Sequence, residues 1–235
     1  MTDNDKISIV LVHGAWADGS NWDDVVPTLL DAGLRVCAVQ NPLTSLAADV
    51  EATHRAIDRM PGKVLLVGHS WGGAVITDAG RHDKVAGLVY VSGFAPDEGE
   101  SLNDILAAGA STPPPEAFAG IEMDSHGFLW LTAEKMAGDF AQDLASDKQR
   151  TMTISQGPIA MSCFTDKMGV PAWRTKPSWY LVADNDRMIP PVAARAMAQR
   201  AGARVSSVPS SHVLMISRPT EVSALILAAA RGVDA

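Results

Sequence analysis

Three side chains far apart in this 235-residue sequence could together carry covalent chemistry: Ser70, Asp186 and His212. Ser70 is the centre of Gly68-His69-Ser70-Trp71-Gly72, between an apolar run over 64–67 and a helical pattern over 72–79. A G-x-S-x-G pattern with a strand before it and a helix after it predicts a nucleophile elbow. Such a strained turn lifts the hydroxyl off the end of a sheet. The flanking glycines are needed because side chains there would collide with strand and helix. The helix N-terminus adds positive potential. The bland alternative is a Gly-rich turn that happens to contain a serine. A phosphate loop is disfavoured, because no G-x-x-x-x-G-K-[ST] occurs.

A serine at its ordinary pKa is a poor nucleophile and needs a base, itself oriented by a carboxylate. On such an elbow the acid and then the base follow the serine along the chain. His13, His54, His69 and His82 precede or adjoin Ser70, and His126 falls in a later irregular stretch. His212 alone follows the last expected strand, so it is the expected base rather than a solvated loop histidine. Asp184 and Asp186 both lie just past an expected strand over 178–183. Asp186 is the expected acid, Asp184 a strand-end or turn residue, and Asp97 a third candidate. The oxyanion would rest on the N–H groups of Trp71 and of Ala15, in the loop after the first strand. His13 is expected to brace that loop by hydrogen bonds.

The elements that must position these residues alternate. Strands are expected over 7–12, 35–39, 64–67, 85–91, 178–183 and 205–208. Helices are expected over 21–32, 46–60, 72–79, 190–201 and 219–231. Ser20 is the expected cap of the first helix, with Asp23 three residues on. Continuous apolar strands separated by helices imply an α/β fold: a mostly parallel six-stranded sheet flanked by helices. The rhythm breaks over 95–176, far longer than an ordinary loop. That stretch carries Leu102, Leu106, Phe118, Phe128, Trp130 and Phe164, and it holds the proline cluster Pro113–Pro115. It predicts a helical cap inserted into a core formed by 1–94 and 177–235. Trp16, Phe128 and Trp130 are expected to bind substrate beside Trp71.

Composition narrows the partners. The net charge is −8 with scattered Lys and Arg, which argues against nucleic acid and anionic membranes. No run is apolar and long enough to span a bilayer. The acidic start MTDNDK is unlike a secretory signal, and Cys37 and Cys163 form no metal or redox motif. A cytoplasmic protein without metal or organic cofactor is expected. Oligomeric state is left open.

The motifs resemble those of the α/β-hydrolase superfamily over nearly the whole chain. VLVHGAWADGSNW is similar to the oxyanion loop, VGHSWGGAV to the elbow, VADNDRMIPP to the acid loop and SSHVLMISRPTEV to the base loop. The resemblance is to the small six-stranded branch that includes plant methyl esterases, plant hydroxynitrile lyases and bacterial carboxylesterases. It implies a serine esterase acting on a small, largely apolar carboxylic ester. The related lyases carry threonine where this chain has Gly14 and lysine where it has Val213. Without that cation, cyanohydrin cleavage is disfavoured. A lactonase, amidase, C–C hydrolase or perhydrolase could use the same three residues. A receptor-like ligand binder with vestigial hydrolysis is the alternative of another class.

Overall fold

The computed structural model describes residues 7–108 and 120–233; Pro113–Pro115 and Phe118 lie outside these. Six parallel strands form the central sheet in the order β2-β1-β3-β4-β8-β9. They are β1 (Ser8–Val12), β2 (Arg35–Ala38), β3 (Val64–His69), β4 (Val85–Val91), β8 (Ser178–Ala183) and β9 (Arg204–Val208). β1, β3 and β8 are buried along their whole length. That is why their sequences are continuous apolar runs without polar alternation.

Around the sheet run α1 (Val26–Asp31), α2 (Leu46–Arg59), α3 (Trp71–Ala79), α8 (Pro191–Arg200), α9 (Leu214–Ser217) and α10 (Pro219–Val233). The first helix is shorter than its sequence pattern. A 3-10 turn over Gly19–Trp22 comes first, and its cap is Asp18, which accepts from the Ser20 N–H, not Ser20. Pro27 then opens α1 in the first helical turn, where a missing N–H costs nothing.

Between β4 and β8 the chain leaves the sheet. This stretch holds α4 (Leu102–Ala108), α5 (Ala133–Lys135), α6 (Ser146–Ser155) and α7 (Ser162–Thr165). It is not purely helical as expected. β5 (Ile121–Met123), β6 (Phe128–Leu131) and β7 (Ile159–Ala160) form a small antiparallel sheet within it. Strands this short leave too few alternating positions for a sequence pattern to reveal them.

The order of the main sheet places β1 beside β3, with Val12 opposite Gly68. Strand order reverses there, and ligands of open α/β sheets bind past the carboxyl ends of strands at such a switch point. Gly14, Ser70 and the ends of β8 and β9 all emerge on that edge.

Candidate active site

The residue after β3 is Ser70, with φ 52° and ψ −121°, a backbone region that non-glycine residues rarely occupy. Its neighbours explain how the turn closes. A Cβ on Gly68 would lie 2.4 Å from the Gly72 carbonyl oxygen, and one on Gly72 2.3 Å from that of Val12. Helix and strand approach too closely for any side chain at either place. The Ser70 carbonyl accepts from the N–H groups of Gly73 (2.9 Å) and Phe94 (3.0 Å). Those two bonds fix the peptide plane that carries the Trp71 N–H.

Asp186 and His212 come from the loops after β8 and β9. His212 Nδ1 donates to Asp186 Oδ2 at 2.8 Å, and both side chains are almost fully buried. The other carboxylate oxygen accepts from the N–H groups of Met188 (2.8 Å) and Ile189 (2.9 Å), which locks the Asp186 carboxylate in place. Asp184 points elsewhere, to Arg195 at 2.6 Å on the surface. Asp97 likewise pairs with Arg174 at 2.6 Å. Phe140, fully buried, sets its ring edge against His212 with centroids 5.1 Å apart.

Two further histidines brace the site and stay neutral. His13 Nδ1 donates to the Gly14 carbonyl at 2.8 Å, while Nε2 accepts from Asn41 N–H at 2.9 Å. The Gly14 carbonyl and the Ala15 N–H share one peptide plane, so this bond orients the Ala15 N–H. Burial lowers the His13 pKa. His69 Nε2 donates to the His212 carbonyl at 2.9 Å, tying elbow to base loop. Burial, and then the neighbouring His212, hold His69 well below the usual histidine range.

A cavity of about 30 Å³ opens on these residues, walled by Ala15, Trp16, Ser70, Trp71, Phe94, Leu102, Leu106, Ile121, Phe164, Met188, Ile189 and His212. Apart from Ser70 and His212 the wall is apolar. Trp16 lies in it, with its indole N–H donating to the Leu129 carbonyl at 2.9 Å. Phe128 and Trp130 do not. On β6 the buried residues are Leu129 and Leu131, so the alternate positions 128 and 130 face outward. Trp130 is 36% exposed and its indole N–H donates to Asp124 at 3.0 Å. The sequence signalled how many aromatics the insertion has but not the parity of its strand.

Asp49 is a buried carboxylate that motif reading passed over. It sits in the first turn of α2, with Oδ2 accepting from the Trp71 indole N–H at 2.7 Å and Oδ1 from the Leu43 N–H at 2.9 Å. Its signal was present: position 49 falls among Leu46, Val50, Thr53 and Ile57, the buried face of the helix. Burial raises its pKa from 3.8 to about 6, against the pull of both hydrogen bonds. Between these values the folded state holds a proton that the unfolded chain has lost. Stability from this group therefore falls as pH rises from about 4 to about 6, by roughly 3 kcal/mol in total, and then levels off. Denaturant titrations of wild type and Asp49→Asn across this range should show that slope in their difference. Parallel curves would contradict it.

The family follows from the comparisons. A profile described as "Alpha/beta hydrolase family" matches residues 9–225. This chain belongs to the alpha/beta hydrolase family. Methylesterase 8 of Arabidopsis thaliana is 32% identical over 136 residues, 52% of this chain and 50% of that protein. The chain thus spans about half the length of that curated relative. A pyrethroid hydrolase of Sphingobium wenxiniae is 28% identical over 246 residues, covering 93% of this chain and 85% of the relative. The crystal structure of polyneuridine aldehyde esterase superposes with a TM-score of 0.82 at 20% identity, over 95% of this chain and 98% of that one. At that identity the likeness is one of fold. Within this alpha/beta hydrolase no helix among the described residues is long and apolar enough to cross a membrane.

Proposed function

We propose that this chain is a serine esterase that cleaves small, uncharged, largely apolar carboxylic esters through an acyl-enzyme. The observation that carries the reading is the buried Asp186–His212 pair, whose histidine lies on the wall of the cavity that also receives Ser70 from its strained turn. Asp186 holds the Nδ1–H tautomer of His212, which leaves Nε2 as the base. His212 takes the Ser70 proton as Oγ bonds to the ester carbonyl carbon. The resulting oxyanion rests on the N–H groups of Ala15 and Trp71, whose peptide planes are fixed through their carbonyls. Collapse breaks the C–O bond to the alcohol, which leaves with the proton from His212. Water, deprotonated by the same histidine, attacks the acyl carbon; the bond from that carbon to Ser70 Oγ then breaks, the carboxylic acid leaves, and Oγ takes the proton back from His212.

The wall supports neutral substrates, since it offers no cation to a charged acid. A hydroxynitrile lyase reading draws no support. A Cβ at Gly14 would lie 2.7 Å from the Ser70 Cβ, and Val213, after the base, is buried and apolar. We read residues 95–176 as the lid over a core of 1–94 and 177–235. Leu102 and Leu106 of α4, with Ile121 and Phe164, are its contribution to the wall. Cytoplasmic residence belongs to the proposal too, supported by two free cysteines. Recovery of the native protein outside the cell would contradict that part.

A cavity of about 30 Å³ is far smaller than a typical ligand pocket, and Leu106 of α4 stands on its wall. A p-nitrophenyl ester series from acetate to decanoate tests both points. Wild type is expected to favour the short esters, and Leu106→Ala to move the optimum to longer chains and raise kcat/KM for them several-fold. Folded wild type that hydrolyses no ester would overturn the function. An unmoved optimum in Leu106→Ala would overturn the pocket assignment alone.

A further inference from the structure

Asp49 has no part in the chemistry proposed above, yet none of its surface reaches solvent. No basic side chain among the described residues forms an ion pair with it. Its oxygens instead take one N–H each, from the Trp71 indole and the Leu43 main chain. Burying a carboxylate without a cation is costly, and an apolar residue would pack there at lower cost. The position therefore serves a need for an acceptor with two arms. Asparagine has only one accepting atom and would put an NH2 against an N–H.

What the two arms hold gives the reason. Trp71 supplies one oxyanion donor from its main chain, at the first residue of α3, where Ser70 makes no side-chain cap. The indole bond therefore anchors the very residue whose amide must be aimed. The other arm ends the stretch 41–43, which braces the second donor. Asn41 donates from its main chain to His13 Nε2 and from Nδ2 to the His13 carbonyl, both at 2.9 Å. His13 in turn grips the Gly14–Ala15 peptide. Leu43 has φ 58°, a strained value that the bond to Asp49 helps to hold.

We propose that Asp49 is a positioning residue for the oxyanion hole, fixing the Trp71 and Ala15 donors relative to each other by gripping the Trp71 indole and the 41–43 loop at once. The proposal rests on the serine-esterase reading. It adds that α2, which contributes nothing to the cavity wall, sets the geometry of the transition-state site. Asp49 touches no reacting atom, so its effect must appear in turnover more than in substrate binding.

The test uses Asp49→Asn, Trp71→Phe and the double variant with p-nitrophenyl butyrate. Active sites are counted by a fluorophosphonate, so that misfolded protein does not enter kcat. Asp49→Asn is expected to lower kcat about ten- to hundred-fold, less than the roughly hundred- to thousand-fold cost of removing a donor outright, with KM changed less than about threefold. Affinity for a trifluoromethyl ketone analogue should fall in parallel. The double variant should be no worse than the poorer single one, because both changes break the same bond. Unchanged kcat per titrated site in Asp49→Asn, or effects that multiply, would overturn the proposal. If Asp49→Asn does not fold, Trp71→Phe breaks the bond from the other side, and unchanged analogue affinity there overturns it. Wild type that neither turns over esters nor reacts with the fluorophosphonate overturns the esterase reading itself, before any variant is made.

Discussion

Replacing Ser70 by alanine is expected to lower ester kcat/KM by roughly ten-thousand- to million-fold, while Ser70→Gly gives the same loss and a more stable protein. The first effect follows from removing the only atom in the scheme that bonds to the acyl carbon. The second follows from the backbone. At φ 52° and ψ −121° a Cβ is strained, and such residues cost of order 1–3 kcal/mol each. Alanine keeps the Cβ and should melt with the wild type. Glycine relieves the strain, less the entropy it loses on folding, for a net gain of about 1 kcal/mol. Paired thermal melts and initial rates decide both points. Ser70→Gly melting at or below wild type would mean that the turn stores no strain.

The second large effect belongs to the acid. Asp186→Asn is expected to lower kcat about ten-thousand-fold, because the amide no longer enforces the Nδ1–H tautomer of His212. Asp186→Ala should in addition unfold at lower denaturant. It strips the acceptor from His212 Nδ1 and from the N–H groups of Met188 and Ile189, all at a buried position. At about 1–3 kcal/mol for each orphaned donor, a loss of several kcal/mol is expected. Asp184→Ala is the internal comparison. Its partner Arg195 is half exposed, so the loss should be no more than about 1 kcal/mol, with kcat within a few-fold of wild type. Asp184→Ala losing as much activity as Asp186→Asn would reassign the acid.

Much of this architecture was readable because burial leaves a mark on sequence. Ile9, Val10, Leu11 and Val12 form a continuous run because both faces of β1 are covered. The same holds for 64–67 and 178–183, and the parallel arrangement of the strands follows from their alternation with helices. The elbow was legible for a different reason. Gly68 and Gly72 are dictated by contacts of 2.3–2.4 Å that no side chain could survive. What stayed hidden depends on long-range packing. Asp18 rather than Ser20 caps the first turn, because the helix pattern begins earlier than the helix. Phe128 and Trp130 read as pocket aromatics until β6 fixed which face each one takes. Asp186 was already favoured over Asp184 in the sequence, and the fold adds that Asp186 is the carboxylate that meets His212, a pairing across 26 residues. Asp49 interrupts an apolar helix face, and its two distant partners, the Trp71 indole and the Leu43 N–H, explain it.

The most direct measurement is intact-protein and peptide mass spectrometry on enzyme acid-quenched during turnover of p-nitrophenyl acetate. One added acetyl group is expected, located on the peptide containing Ser70, absent from Ser70→Ala and released on continued incubation in water. Rapid hydrolysis by Ser70→Ala, or an acetyl group that accumulates only on another side chain, would contradict the Ser70 acyl-enzyme.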